Sequence, residues 1–404
     1  MASSLTNTAT THPETGSSTS TEVLIHLNAV APELLEPTLS NLAAAFAGYP
    51  ALVAIPETAA PSHTRNIDSL RVLPYTPPAT STISWVHTAA DYLTAYKLLQ
   101  EQNVASCLML GPDSHSMRPE SIRRLADALL AAPPVDLVTS HYHLGPHEGL
   151  VNSGILYPLS RALFCAQPRY PLAIDIGISA RMAERLAAAA QRFTAINQED
   201  TLLWPVSEAA MAGFVMTEVD IPSRAAPQPA NLDLNALLGQ IVGSLFSDID
   251  ARASFWQRLR NTIPPRTIPA TPEGGEPVDV TPMLEAFHLA YSNLHEIWAL
   301  VLPPHTLLGL KRLSVMPKEA FRFADSLWTR ILYDFVLAYR LRTINRGHLL
   351  GALTPLYLAW VASHLLLVQS GVTPEQHIEE LAQAFEVDKP YLVSRWRWPD
   401  RFNP

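Results

Sequence analysis

The chain predicts an α/β fold with a mainly parallel sheet in its first half, followed by an all-helical C-terminal region. Three observations lead there. Short β-rich runs alternate with helical patterns up to about residue 220, a Pro- and Gly-rich stretch interrupts at 261–282, and beyond it apolar residues recur at helical spacing. Alternating strands and helices make crossover units, and crossover units build parallel sheets.

In chain order, residues 1–21 are Ser/Thr-rich and lack the basic and apolar regions of a secretory signal, so they read as a disordered tail. Strands are expected at 23–27, 51–55, 71–75, 106–110, 135–142 and 214–220. Helices are expected near 32–47, 85–100, 119–131, 181–192 and 200–212. These elements define a first domain at 22–250. NTIPPRTIPATPEGGEPVDVTP lies within a linker at 251–282, and residues 283–404 form the helical domain. There Leu327, Ile331, Phe335 and Tyr339 recur every four residues, with Trp328, Leu332 and Val336 beside them, which gives one broad apolar stripe. LLGALTPLYLAWVASHLLLV, at 349–368, matches the ~20 residues that cross a bilayer. Its Pro355, Ser363 and His364, and its lack of aromatic belts, favour a buried bundle helix over a membrane span.

Composition narrows the function. The 404 residues are 48% hydrophobic and 16% charged, enough apolar material for sizeable cores, and the net charge of −9 argues against general nucleic-acid binding. Cys107 and Cys165 are the only cysteines and sit in apolar runs, so no disulfide framework is expected and a reducing cytoplasm fits. There is no phosphate-binding lysine loop, no GxGxxG after a strand and no GxSxG elbow.

Carboxylates are the residues left to carry chemistry. In SCLMLGPDSHSMRPESI a buried strand stops at Gly111-Pro112 and presents Asp113, either as a cation ligand or as a turn residue. In PLAIDIGIS, Asp175 interrupts an apolar run, where a lone charge is costly. It therefore faces a cleft, is paired, or caps a helix. Glu199 and Asp200 precede a helix in NQEDTLLW, a position the helix dipole favours anyway. His141 and His143 of HYHLGPH would share one face of a strand, with His147 beyond. Only Glu148 is near as an acidic partner, so a polar loop is the better reading than a metal site.

EGLVNSGILYPLSRAL at 148–163 and the PLAIDIGIS that follows resemble a segment of bacterial GT-A glycosyltransferases related to mannosylglycerate synthase and glucosyl-3-phosphoglycerate synthase. AFRFADSLWTRILYDFVLAYR (320–340), HLLGALTPLYLAWVAS (348–363) and KPYLVSRW (389–396) are similar to the helical domain of the same group. The resemblance implies a GT-A, Rossmann-like domain that binds a nucleotide-diphospho-sugar. It also implies transfer with retention to a small hydroxyl acceptor such as glycerate or phosphoglycerate, and leaves pairing into a homodimer open.

Carried over by position, Asp113 matches the second acid of a metal-binding Asp-x-Asp, with Gly111 where the first is expected. Asp175 matches an acid of a substrate-binding segment, and Asp200, with Thr201, matches the acid near the reacting sugar and acceptor. Asn152 falls where relatives place an acceptor-contacting threonine. The loop 80–91 has no lysine where relatives use one, and 221–233 has no metal-binding histidine. The Mg²⁺ or Mn²⁺ that the resemblance implies at Asp113 thus meets too few hard ligands for tight binding.

Two readings follow. One is a working transferase in which Asp200 positions the acceptor hydroxyl and Arg118 or Arg224 meets the departing diphosphate. The other is a degenerate GT-A fold that binds a sugar nucleotide, glycan or protein partner without turnover.

Overall fold

The structure is a computed structural model, and it describes residues 22–28, 30–59, 64–77, 85–195, 198, 201–225, 233–260, 263–264, 266 and 278–399. Its first half runs β1 (Val23–Leu27), α1 (Leu35–Ala45), β2 (Ala51–Pro56), β3 (Arg65–Ile67), β4 (Leu70–Tyr75), α2 (Ala89–Gln102), β5 (Ser106–Leu110) and α3 (Pro119–Leu129). It continues with β6 (Leu137–Tyr142), α4 (Tyr157–Phe164), β7 (Ile176–Ser179), α5 (Ala180–Thr194), α6 (Pro205–Ala212) and β8 (Met216–Ile221). The remainder is helical: α7 (Leu234–Ala251), α8 (Ala253–Trp256), α9 (Thr281–Val301), α10 (Pro304–Leu313), α11 (Asp325–Leu341), α12 (Arg346–Gln369) and α13 (Pro374–Arg397). This is an α/β architecture, a mainly parallel sheet followed by an all-α C-terminal region, as the sequence predicts.

The eight strands form one sheet in the order β3-β4-β2-β1-β5-β7-β6-β8. β1 pairs in parallel with β2 and β5, β2 with β4, and β6 with β8. β7 runs antiparallel between β5 and β6, and β3 is an antiparallel edge strand on β4. β1, β2, β5 and β6 are buried along their whole length, which is why they read as continuous apolar runs without alternation. Strand order reverses between β1 and β5. That makes their carboxyl ends the topological switch point at which such sheets bind ligands.

Local chemistry sets the helix starts. Thr88 and Asp91 form a capping box on α2, with the Thr88 N–H donating to Asp91 at 2.7 Å. Asp233 caps α7 and Asn345 caps α12. Two expectations are corrected here. The run around Asp175 holds β7, so α5 is capped by Ser179 rather than by Asp175. The helix expected from residue 200 begins at Pro205, where proline suits the first turn.

Helices on either side of the boundary expected at 250–251 pack on one another. α7, assigned to the first half by sequence, packs on α11 and α12, while α4 packs on α13. The main apolar core runs from β1 to Trp396, and a small second cluster of Tyr157, Ile378 and Ala382 lies between α4 and α13. At the junction a π-helical turn, Asn152–Leu156, precedes α4. Gly154 in that turn gives its carbonyl to the Trp328 indole at 2.8 Å. A Cβ on Gly154 would stand 2.3 Å from the Trp360 ring, so only glycine lets the turn approach so closely.

Charge also crosses the junction. Arg161 of α4 is buried and donates to Glu379 at 2.5 Å and to Glu386 at 3.0 Å, both on α13. Arg169 pairs with Glu375 at 3.0 Å. α12 is long and apolar enough to cross a membrane, and 67% of its most apolar window is buried inside the protein, against α7 and α9.

Candidate functional site

At the carboxyl end of β5 the chain turns through Gly111, Pro112 and Asp113. Asp113 has φ +60°, a left-handed conformation that Asp tolerates better than most residues. Its carbonyl accepts the N–H of Ser116 at 2.9 Å and the Ser116 hydroxyl at 2.6 Å, and that hydroxyl accepts the Ala225 N–H at 2.9 Å. The turn is therefore tied to the segment that leaves β8. Its carboxylate is partly exposed, and its negative charge lies close enough to Arg224 to favour that guanidinium.

Asp175 does not face a cleft. It is 0% exposed, and every lone pair has a use: the Gly111 N–H donates at 3.1 Å, the Tyr142 hydroxyl at 3.0 Å, and Arg224 donates to both oxygens at 2.8 and 3.2 Å. Arg224 is equally spent, since it also donates to the Pro112 carbonyl at 2.5 Å and to the Ala225 carbonyl at 3.0 Å. Burial works against its charge, and the Asp175 carboxylate more than restores it. The substrate contact expected of Asp175 is thus replaced by an internal clamp that fastens the β5 turn, the start of β7 and the exit of β8 to one another. The same clamp removes Arg224 as a free cation for a diphosphate.

The donor set at this turn does not fit the divalent cation that the resemblance implies. A Cβ on Gly111 would lie 3.0 Å from the Ile174 carbonyl oxygen and 3.2 Å from the Ile174 Cβ, so a first acid there would need the Ile174 segment to give way. Asp175 is consumed by Arg224, which leaves Asp113 as the one uncommitted carboxylate of the turn. Hard cations need several oxygen ligands.

The other expected residues are dispersed. Arg118 stands exposed just before α3, with no ion-pair partner among the described residues. Thr201 gives its carbonyl to the Ala89 N–H at 2.9 Å and lines a separate cavity with Trp204, Glu208 and Asp248, beside α7. Asn152 opens the π-helical turn. Its amide donates to the Arg169 carbonyl at 2.9 Å, and its Oδ1 is buried without a partner. Asp200, Glu199 and residues 78–84 lie outside the described residues.

A second cleft opens beside the first, between the end of β6 and the N-terminus of α13. Its lining includes His141, His143, Glu148, Arg169, His364 and Glu375. Parallel pairing sets His141 opposite Asp220 of β8, and the His143 N–H extends the ladder to the Ile221 carbonyl at 3.3 Å. Both histidines therefore project on one face. His141 Nδ1 lies 2.7 Å and His143 Nε2 3.4 Å from the same oxygen of Asp220. The hydrogen bond from His141 holds the Asp220 carboxyl below its usual range. The polar loop expected here is thus a structured trio at a strand end. His147, although close in sequence, is not part of it.

Across the cleft, His364 is fully buried, stacks on Trp360 and shares a 2.7 Å hydrogen bond with His377. Burial pushes its pKa down to about 3, so it is neutral at physiological pH. Arg169, Glu375, His364 and Asp220 carry no local signal in the sequence. Each gains its place from a contact distant along the chain.

No family model matches the chain, and no curated protein matches it. Solved structures do. Glucosyl-3-phosphoglycerate synthase from Mycobacterium tuberculosis, in complex with Mn²⁺, UDP and phosphoglyceric acid, is 14% identical; the match covers 56% of this chain and 78% of that one with a TM-score of 0.35. Another structure of the synthase from the same organism is 15% identical over 56% of this chain and 80% of its own, with a TM-score of 0.33. A mycobacterial protein matches at 14% identity over 56% and 74%, also with a TM-score of 0.35. Superposition this loose carries no argument about activity.

Proposed function

We propose that this protein is a glycosyltransferase that moves a sugar from a nucleotide-diphospho-sugar to a small hydroxyl acceptor of the glycerate or phosphoglycerate kind, with retention at the anomeric carbon. The observation that carries this reading is the position of Asp113. It sits on a left-handed turn at the switch point between β1 and β5, where an open α/β sheet receives its ligand. The sequence resemblance, which extends through the helical region, supports the same reaction class.

In this reading Asp113 orients the donor, and Arg118 with the N-terminus of α3 meets the charge that develops on the departing diphosphate. Asp200 positions the acceptor hydroxyl, and Asn152 contacts the acceptor. The cation contributes little, because the turn has one free carboxylate.

The second reading, a binding protein without turnover, is favoured by one observation: the Asp175–Arg224 clamp has withdrawn two charged groups from the site. Thermal unfolding with UDP-glucose, GDP-mannose and the free diphosphates, each with and without Mg²⁺, tests both. Ligand at about a hundred times its dissociation constant adds roughly 2.7 kcal/mol. Transfer predicts stabilisation by one nucleotide, little further gain with Mg²⁺, and turnover with phosphoglycerate that Asp200→Asn abolishes. Stabilisation without turnover supports the second reading; no stabilisation by any nucleotide refutes the transferase and leaves the second reading only as a binder of a glycan or a protein partner.

A further inference from the structure

We infer that His141, His143 and Asp220 form a binding site for a borderline-soft divalent transition ion of the zinc class, separate from the Asp113 turn and independent of the transferase reading. One ligand atom from each residue lies within 4.8 Å of the others. Tetrahedral zinc with bonds of about 2.0–2.1 Å sets its ligand atoms about 3.3 Å apart. His143 Nε2 and Asp220 Oδ1 are already 3.4 Å apart, and the 2.7 Å between His141 Nδ1 and the same oxygen has to open by only a fraction of an ångström. The Asp220 side chain is 60% exposed and that of His143 38%, so both have freedom for that adjustment.

The backbone prepares the site. The two histidines are two residues apart at the end of β6, and the β6–β8 register fixes Asp220 opposite the first. Two imidazoles now share a single carboxylate oxygen, and an ion at their centre would replace both shared contacts with bonds to all three groups. Two nitrogens and one oxygen suit zinc, cobalt or nickel, and they suit the hard Mg²⁺ poorly.

Three protein ligands leave a tetrahedral ion one open position, the arrangement of zinc sites that bind a water or a ligand. His141 and His143 line the cleft together with Arg169 and His364, whose Nη1 and Nε2 are buried and without a protein partner. A carboxylate or phosphate oxygen on the open position would lie in a cleft that Arg169 also lines.

Zinc titration of the chelator-treated full chain, in competition with a chromophoric chelator, tests the inference. One equivalent should bind, and His143→Ala and Asp220→Ala should each weaken binding at least tenfold without lowering Tm. Co²⁺ should give the visible absorption of a four-coordinate ion, lost in both variants. Absence of stoichiometric binding, or binding unchanged in both variants, overturns the site. So does a six-coordinate cobalt spectrum that neither substitution alters.

Discussion

Asp175 and Arg224 carry the largest energetic consequence of any single pair near the switch point. Both are buried, and each satisfies the other at two atoms. Removing one partner leaves an uncompensated charge in the interior, which costs about 3–5 kcal/mol. Arg224→Met should therefore lower the denaturant midpoint by that equivalent. An Asp175 that served only a ligand would leave the midpoint where it is.

Asp334 offers a second test at this scale. Burial pushes its carboxyl up from 3.8 to about 7, against the pull of Arg395, while the Tyr391 hydroxyl donates to it at 2.9 Å. The unfolded chain loses this proton near pH 4, whereas the folded chain keeps it to about pH 7. Its contribution is thus complete below pH 4 and is lost as pH rises through 7. Asp334→Asn should gain on the parent protein across that window, by at most ~4 kcal/mol, as read from denaturation at pH 4, 5.5 and 7.5.

At the scale of elements, the π-helical turn and α13 hold the sheet to the helical region. Gly154→Ala places a methyl group against the Trp360 ring in a filled core, and overpacking of this kind costs about 1–3 kcal/mol. The expected sign is a lowered Tm, measured against Gly239→Ala, where a Cβ meets nothing within 4 Å. On α13, Glu375, Glu379 and Glu386 all reach back to arginines that precede β7. Their spacing of four and seven residues puts them on one helical face. The sequence displays that face, but nothing in it says which cations the face meets.

The whole molecule is expected to unfold as one unit. The main core spans both halves, α7 packs on α11 and α12, and the buried arginines of α4 and the following loop have their carboxylates on α13. Calorimetry should give a single transition with equal calorimetric and van't Hoff enthalpies. A fragment ending at residue 250 should fail to give a sharp transition, because Arg161 and Arg169 would lose their partners. Two resolved transitions would contradict this.

Sequence by itself determined the alternation of strands and helices, the parallel strands read as unbroken apolar runs, the helical third, and the burial of α12. These depend on periodicity and on length, which are local. It also placed Asp113 correctly at the end of β5, because a Gly-Pro-Asp turn after an apolar run is a local signal. β7 was hidden because its four residues follow Asp175 in a run that equally suits a helix start.

Tertiary structure alone decided what each charged group does. Asp175 reads equally as a cleft residue, a paired charge or a helix cap until Arg224, 49 positions away, is seen to fill its lone pairs. His141 and His143 read as a polar loop until the register of β6 against β8 supplies Asp220, 79 positions from His141. The reason is physical. Periodicity records which face of an element is buried, whereas the fate of a buried charge depends on its partner, and partners are chosen by strand register and helix packing that no local stretch contains.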